Sequence, residues 1–72
     1  MLSEMEKRIL RILSQNLLLT KSELARKLDK DEYDGTHASV SKLMELGYIE
    51  EVESLGTCLV ITQKGMRALR GE

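Results

Sequence analysis

Hydrogen-bond donors cluster between positions 36 and 42 of this 72-residue chain, in the stretch THASVSK. The candidate residues in it are Thr36, His37, Ser39, Ser41 and Lys42. Hydroxyl, imidazole and ammonium groups can donate to phosphate oxygens and to the acceptor atoms on the edges of nucleic-acid bases. Their types and spacing therefore predict non-covalent recognition of a polar, anionic ligand.

A second set of donors precedes this stretch and consists of Thr20, Lys21 and Ser22. It lies where the pattern predicts that a helix begins. The first backbone N–H groups of a helix lack intrahelical partners and can hold a phosphate. We therefore predict phosphate contacts at Thr20, Lys21 and Ser22.

No combination of side chains predicts catalysis or a metal site. The sequence contains no pattern of nucleophile, base and acid, so we predict that the protein is not an enzyme. One histidine, His37, and one cysteine, Cys58, cannot fill a structural zinc site. The stretch DKDEYDG departs from a calcium loop, because Asp34 and Val40 stand where that loop needs Gly and Glu. We expect no metal and no cofactor, and the sequence identifies no small-molecule effector.

Charge is arranged in blocks that the net charge of −1 conceals. Residues 1–28 carry a net +3, residues 29–53 a net −6 and residues 54–72 a net +2. The middle block includes DKDEYDG, which leads directly into the donor-rich stretch. Four carboxylates beside the donor-rich stretch should repel a polyanionic ligand and so lower non-specific affinity for it.

The length predicts a single domain that spans residues 1–72, and the composition predicts a cytoplasmic protein. With Tyr33 and Tyr48 as the only aromatic residues, the core must be aliphatic. No disulfide framework, signal peptide or apolar run of membrane-spanning length is present. A small domain gains stability from an interface, so we predict a homodimer with Leu2, Met5 and the last helix at its seam.

Two capping boxes predict where the first helices begin. Ser3 is followed three residues later by Glu6, and Thr20 is followed three residues later by Glu23. Between these helices, Leu17–Leu19 form an apolar run that we interpret as a buried connection or a very short strand.

The third predicted helix spans about 34–46, with Asp34 as its N-cap and Gly47 after its end. At 100° per residue its inner side carries Thr36, Val40 and Leu43, with Met44 beside them. The opposite side carries His37, Ala38, Ser41, Lys42 and Glu45.

Two β-prone runs, YIEEVE and CLVIT, flank the turn SLGT and predict a hairpin. Cys58 is interpreted there as a small apolar strand residue. Thr62 then caps a last helix, QKGMRALRG, which has an apolar side and a basic side.

The order of these elements resembles the winged helix-turn-helix family, in particular the small MarR, ArsR and PadR regulators. The matching stretches are SELARKL, THASVSKLMELGYIE and LVITQKGMRAL, and the pair LGYI and ITQKG is typical of these groups. The resemblance covers nearly the whole chain. It implies an α+β fold with a three-helix core, a β-hairpin wing and a C-terminal helix. It also implies a transcriptional regulator that binds specific double-stranded DNA sequences with helix 3 in the major groove.

The chain departs from the family pattern at two places. The turn after Leu28 is about one residue longer than usual and lacks the common central glycine. The wing carries Glu50, Glu51 and Glu53 but no Arg or Lys, whereas a wing in the minor groove normally uses a basic residue. The alternative interpretation is a winged-helix protein-interaction module that binds a basic partner through the acidic surface 29–53.

Overall fold

Helices and short strands follow one another in the order that the sequence predicts. The computed structural model describes residues 2–16, 18–28, 36–54 and 56–71. Its elements are α1 (Glu4–Gln15), β1 (Leu19–Thr20), α2 (Lys21–Lys27), α3 (His37–Glu45), β2 (Ile49–Ser54), β3 (Gly56–Ile61) and α4 (Gln63–Leu69). The acidic stretch DKDEYDG, with Asp31, Glu32 and Asp34, lies outside the described residues.

Both predicted capping boxes are present. Ser3 Oγ accepts from the Glu6 N–H at 3.1 Å, and Glu6 Oε1 accepts from the Ser3 N–H at 2.8 Å. At α2, Thr20 Oγ1 accepts from the Glu23 N–H at 3.1 Å, and Glu23 Oε1 accepts from the Thr20 N–H at 3.0 Å. Each box satisfies two backbone donors that a helix start would otherwise leave unpaired.

The strands form an antiparallel sheet in the order β1–β3–β2. β1 is only two residues long and pairs Leu19 with Leu59, which confirms the very short strand as the interpretation of the apolar connection. β2 and β3 form the predicted hairpin, and their pairing runs from Ile49 opposite Ile61 to Ser54 opposite Gly56. We call this hairpin the wing.

The core is aliphatic, as predicted, and lies between the helices and one face of the sheet. Its buried residues are Ile9, Leu10, Leu13, Leu19, Leu24, Leu28, Val40, Leu43, Ile49 and Leu59. Full burial of one such side chain stabilises the fold by about 1.5–3 kcal/mol. Because Val40 and Leu43 of α3 are in this cluster, the opposite side of α3 must face outward.

α3 ends in a Schellman motif, as the glycine at position 47 predicts. Gly47 has a φ of +78°, a conformation that favours glycine. Its N–H donates to the Met44 carbonyl at 3.0 Å, and the Tyr48 N–H donates to the Leu43 carbonyl at 2.9 Å. The turn aims the chain from α3 directly into β2.

The start of α4 is bonded to the end of α3. The Thr62 N–H donates to the Tyr48 carbonyl at 3.0 Å, and Thr62 Oγ1 donates to the Gly47 carbonyl at 2.7 Å. The same hydroxyl accepts from the Gly65 N–H at 3.0 Å and so caps α4, as predicted. We call Gly47, Tyr48, Thr62 and Gly65 the α3–α4 junction.

Gly65 is required at this junction because α4 lies directly against the backbone of Tyr48. A Cβ at position 65 would overlap the Tyr48 carbonyl oxygen and lie 2.9 Å from Ile61 Cγ1. Lys64 adds a cation–π contact, with its Nζ 5.7 Å from the centroid of the Tyr48 ring. The paired stretches LGYI and ITQKG therefore have a physical basis, since they supply the two halves of one junction.

One predicted boundary differs from the structure. α3 begins at His37 with Thr36 at the N-cap position, whereas the sequence predicted Asp34 there. Thr36 has αR backbone angles and makes no side-chain capping hydrogen bond, unlike the capping residues Ser3 and Thr20. The predicted cap, Asp34, lies outside the described residues.

Candidate nucleic-acid interface

α3 has one side in the core and one side in solvent. Thr36, Val40 and Leu43 are buried, whereas His37 and Ala38 are exposed. Lys42 and Glu45 are also exposed, and Ser39 and Ser41 are half-buried. This division follows the predicted periodicity, and it brings most of the predicted donors of the THASVSK stretch to the surface.

Thr36 does not belong with those donors. It has 0% relative exposure, so its side chain cannot reach a ligand outside the protein. The helical periodicity already placed Thr36 on the inner side of α3, and burial was the better of its two predicted roles. We therefore remove Thr36 from the candidate contacts.

The outer face of α3 consists of His37, Ala38, Ser41 and Glu45. Ala38 is small, and His37 and Ser41 can donate hydrogen bonds, which suits close approach to base edges. Ala38 was placed on this side from the sequence but was not among the predicted contacts. Its methyl group is suited to contact with a thymine methyl, a kind of readout that needs no hydrogen bond.

Lys42 lies at the flank of α3 and is paired with α1. Its Nζ is 3.5 Å from Glu6 Oε2, and its side chain is 55% exposed while that of Glu6 is only 6% exposed. The hydrogen bond from the Ser3 N–H lowers the pKa of Glu6, and Lys42 lowers that pKa further, against burial, which raises it. Glu6 is therefore an ionised, buried carboxylate that joins the N-terminal cap of α1 to α3.

The sequence did not reveal this pairing. Glu6 was identified only as the third residue of a capping box, and Lys42 only as an outward-facing donor. Charge opposition alone was not a sufficient signal, because positions 6 and 42 meet only through the packing of α1 against α3.

The donors at the start of α2 also have partners within the domain. Lys21 Nζ lies 2.8 Å from Glu51 Oε2 on the wing, and both side chains are a little over one-third exposed. The Thr20 hydroxyl takes part in the capping box with Glu23, and the hydrogen bond from the Thr20 N–H lowers the pKa of that carboxyl. Ser22 is exposed.

The wing presents acids and no bases. Glu50, Glu51 and Glu53 of β2 are exposed, and neither strand of the wing contains Lys or Arg. Thr57 Oγ1 donates to Glu53 Oε2 at 2.6 Å, a bond that ties the two strands together. The wing therefore offers a negative surface beside the start of α2.

The residue types that could bind a metal are dispersed over the part of the chain that the structure describes. In ranges 2–16, 18–28, 36–54 and 56–71, no three His, Cys, Asp or Glu side chains are grouped as metal ligands. Cys58 is a buried free thiol on β3, consistent with its predicted place in a strand. No helix in these ranges is long and apolar enough to cross a membrane.

Several solved structures share this architecture. BldR, a transcriptional regulator from Sulfolobus solfataricus, superimposes with a TM-score of 0.85 at 25% identity over 96% of this chain and 51% of its own. A MarR family protein of Mycobacterium tuberculosis gives a TM-score of 0.73 at 29% identity over 94% of this chain and 48% of its own. A cysteine-to-serine mutant of Lactococcus lactis ZitR, in a structure with DNA, superimposes with a TM-score of 0.83 at 19% identity over 97% of this chain and 49% of its own.

This chain spans about half the length of the structures that it matches. No protein-family model matches the sequence, and no curated protein matches it significantly. The likeness to solved structures nevertheless extends over almost every element, from α1 through the wing to α4. The chain therefore has the winged helix-turn-helix fold of MarR-family transcriptional regulators, as its sequence predicted.

Proposed function

We propose that this domain binds double-stranded DNA sequence-specifically, as a small transcriptional regulator, with α3 in the major groove. The observation that carries the proposal is the outer face of α3. The inner side of α3 is anchored in the core. The outer side presents His37, Ala38 and Ser41 on a helix that is narrow enough for the major groove. The presence of DNA in one of the matched structures supports the same assignment.

The residues of the site have different proposed roles. His37, Ala38 and Ser41 would contact base edges, and Ser39, which is half-buried, would reach only the near rim of the groove. Ser22, with Thr20 and Lys21 beside it, would face phosphates next to the start of α2. These assignments follow from position and exposure.

We propose further that the domain acts as a cytoplasmic homodimer. Two copies would place two α3 helices on two half-sites, which raises specificity. Leu2 and Met5, predicted at the seam, are half-buried and pack against the core of their own domain. Met66 of α4, at 40% exposure, leaves α4 as the better candidate surface. Sedimentation at micromolar concentration should show a dimer, and a monomer would limit binding to one half-site.

The DNA-binding proposal is tested by titrating duplex DNA with the protein over a series of salt concentrations. Binding should weaken linearly on a log–log plot, because each neutralised phosphate releases counterions. Duplexes from the region next to the gene should bind more tightly than random sequence at every salt concentration. Equal affinity for all sequences would contradict sequence-specific binding, and no binding at micromolar concentration would contradict the proposal as a whole.

A second candidate function is supported by the acidity of the wing. Glu50, Glu51 and Glu53 form an exposed negative strand that repels DNA and suits a basic protein partner. In this alternative the domain is a winged-helix interaction module that binds through the acidic surface 29–53. It predicts no salt-dependent binding of duplex DNA, and it predicts that neutralising the wing acids weakens the complex with the basic partner.

A further inference from the structure

The ion pair between the buried Glu6 and the exposed Lys42 bears on how the domain discriminates between DNA sequences, if it binds DNA as proposed above. Lys42 flanks the outer face of α3, where a lysine would ordinarily add phosphate affinity for any sequence. Its ammonium instead lies 3.5 Å from a carboxylate that is almost wholly enclosed by the domain.

Release of Lys42 would leave Glu6 without its counter-charge. Glu6 is 5% exposed, and its other oxygen is held at 2.8 Å by the Ser3 N–H in the cap of α1. If Lys42 moved to a phosphate, an ionised carboxylate with little access to water would lose the charge that compensates it. A phosphate at the flank of α3 therefore competes with an internal partner that is already in place.

We propose that Glu6 is a specificity-determining residue, which retains Lys42 as an internal counter-ion and so withholds one cation from the DNA backbone. Non-specific binding depends mainly on the number of phosphates that cations neutralise. Withholding one cation reduces the number of neutralised phosphates by one and lowers affinity for every sequence. Contacts from His37, Ala38 and Ser41 to base edges are unaffected. The ratio of specific to non-specific affinity rises as a result.

The salt dependence of binding to a short random-sequence duplex tests this role. Glu6→Gln keeps an oxygen that can accept from the Ser3 N–H but removes the charge that holds Lys42. It should steepen the log–log slope by about 0.9 and tighten non-specific binding roughly fivefold to tenfold at 0.1 M salt, the effect of one added phosphate contact. Lys42→Ala in the wild-type background should leave the slope unchanged.

The double variant Glu6→Gln/Lys42→Ala separates this role from a structural one. Its slope should return to that of the wild type, because the added contact depends on Lys42. Glu4→Gln, which neutralises an exposed acid of the same helix, is the matched control and should not change the slope. Thermal melts of each variant should establish that the compared proteins are folded.

Each outcome decides the proposal. A steeper slope for Glu6→Gln that disappears in the double variant supports it. If the wild type binds and Glu6→Gln leaves the slope unchanged, or if Lys42→Ala alone flattens the slope, this inference is overturned while the DNA-binding function stands. If Glu6→Gln does not fold, the Lys42→Ala variant still tests the inference. A flattened slope overturns it, and an unchanged slope supports the retention of Lys42 within the domain. If no variant binds duplex DNA, both proposals are overturned together.

Discussion

The α3–α4 junction and the outer face of α3 belong to the same part of the chain but obey opposite constraints. At the junction, Thr62 donates hydrogen bonds to the Gly47 and Tyr48 carbonyls, and the backbone of Tyr48 leaves no room for a side chain at position 65. On the outer face, Ala38 points into solvent and is not enclosed by the domain. The first region contributes to stability and the second is the proposed recognition surface, so substitutions should affect one property without the other.

The largest expected effect is on stability, from Gly65→Ala. Alanine would gain about 1 kcal/mol of helix propensity, but its Cβ would overlap the backbone of Tyr48, which cannot move aside as a flexible side chain could. We expect a net loss of about 2–3 kcal/mol in the free energy of unfolding, measured by urea denaturation. Gln63→Ala, at an exposed position of the same helix, is the control and should change it by less than about 0.5 kcal/mol. Equal stability of the two variants would show that the junction is not tightly packed.

Ala38→Glu should weaken DNA binding and leave the stability of the fold almost unchanged. It places a carboxylate at the centre of the outer face, against the phosphates and base acceptors, while the exposed position leaves the core undisturbed. We expect DNA affinity to fall roughly tenfold to a hundredfold from like-charge repulsion and lost contact, with little change in the melting temperature. Retention of full affinity would remove the outer face of α3 from the interface.

Thr62→Val removes one hydroxyl from the α3–α4 junction. That group caps α4 through the Gly65 N–H and bonds to the Gly47 carbonyl, so its loss should cost about 1–2 kcal/mol of stability. Thr62→Ser retains the hydroxyl and should recover most of the loss. Chemical denaturation of the three proteins gives the comparison. A loss for Thr62→Ser with none for Thr62→Val would point to packing of the methyl group instead, because valine keeps that methyl.

Acid should weaken the contact between α1 and α3. Because the Ser3 N–H and Lys42 lower the pKa of Glu6, this carboxylate stabilises the folded state above its ordinary pKa near 4.5. That contribution is lost as pH falls through the lowered pKa of the folded state. The melting temperature should therefore drop between pH 5 and more acidic conditions, and Glu6→Gln should show a smaller drop. Identical pH profiles would contradict an ionised Glu6 in the fold.

The smallest effect is expected at the wing. Glu50→Gln combined with Glu53→Gln removes two exposed acids but leaves Glu51 paired with Lys21. Binding to random-sequence DNA should tighten by about threefold at most, since exposed charges interact weakly in water. A large loss of affinity for a basic protein partner, with DNA binding absent, would favour the protein-interaction module.

The features that the sequence predicted well are encoded by residues close together along the chain. The capping boxes at Ser3 and Thr20 and the glycine at position 47 each involve only a few consecutive residues, and each is present as predicted. Periodicity likewise separated the inner side of α3 from its outer side. These local signals predicted the order of elements, and the resemblance to the winged helix-turn-helix family then implied the fold.

The features that were missed join residues that are far apart in sequence. Lys42 meets Glu6 across the contact of α1 with α3, and Lys21 meets Glu51 across the contact of α2 with the wing. Neither pair can be chosen from charge alone, since many acids and bases compete for partners. Both lysines among the predicted contacts, Lys21 and Lys42, have partners within the domain.

The most direct test of the central claim is a map of backbone amide shifts on adding duplex DNA to the labelled domain. We expect the largest changes at residues 37–42 and 20–22, with smaller changes at residues 49–54 of the wing. Contacts to base edges and phosphates should perturb those amides first, because they lie nearest to the proposed interface. Changes confined to the wing or to α4, with α3 unperturbed at saturating DNA, would contradict the claim that the outer face of α3 binds DNA.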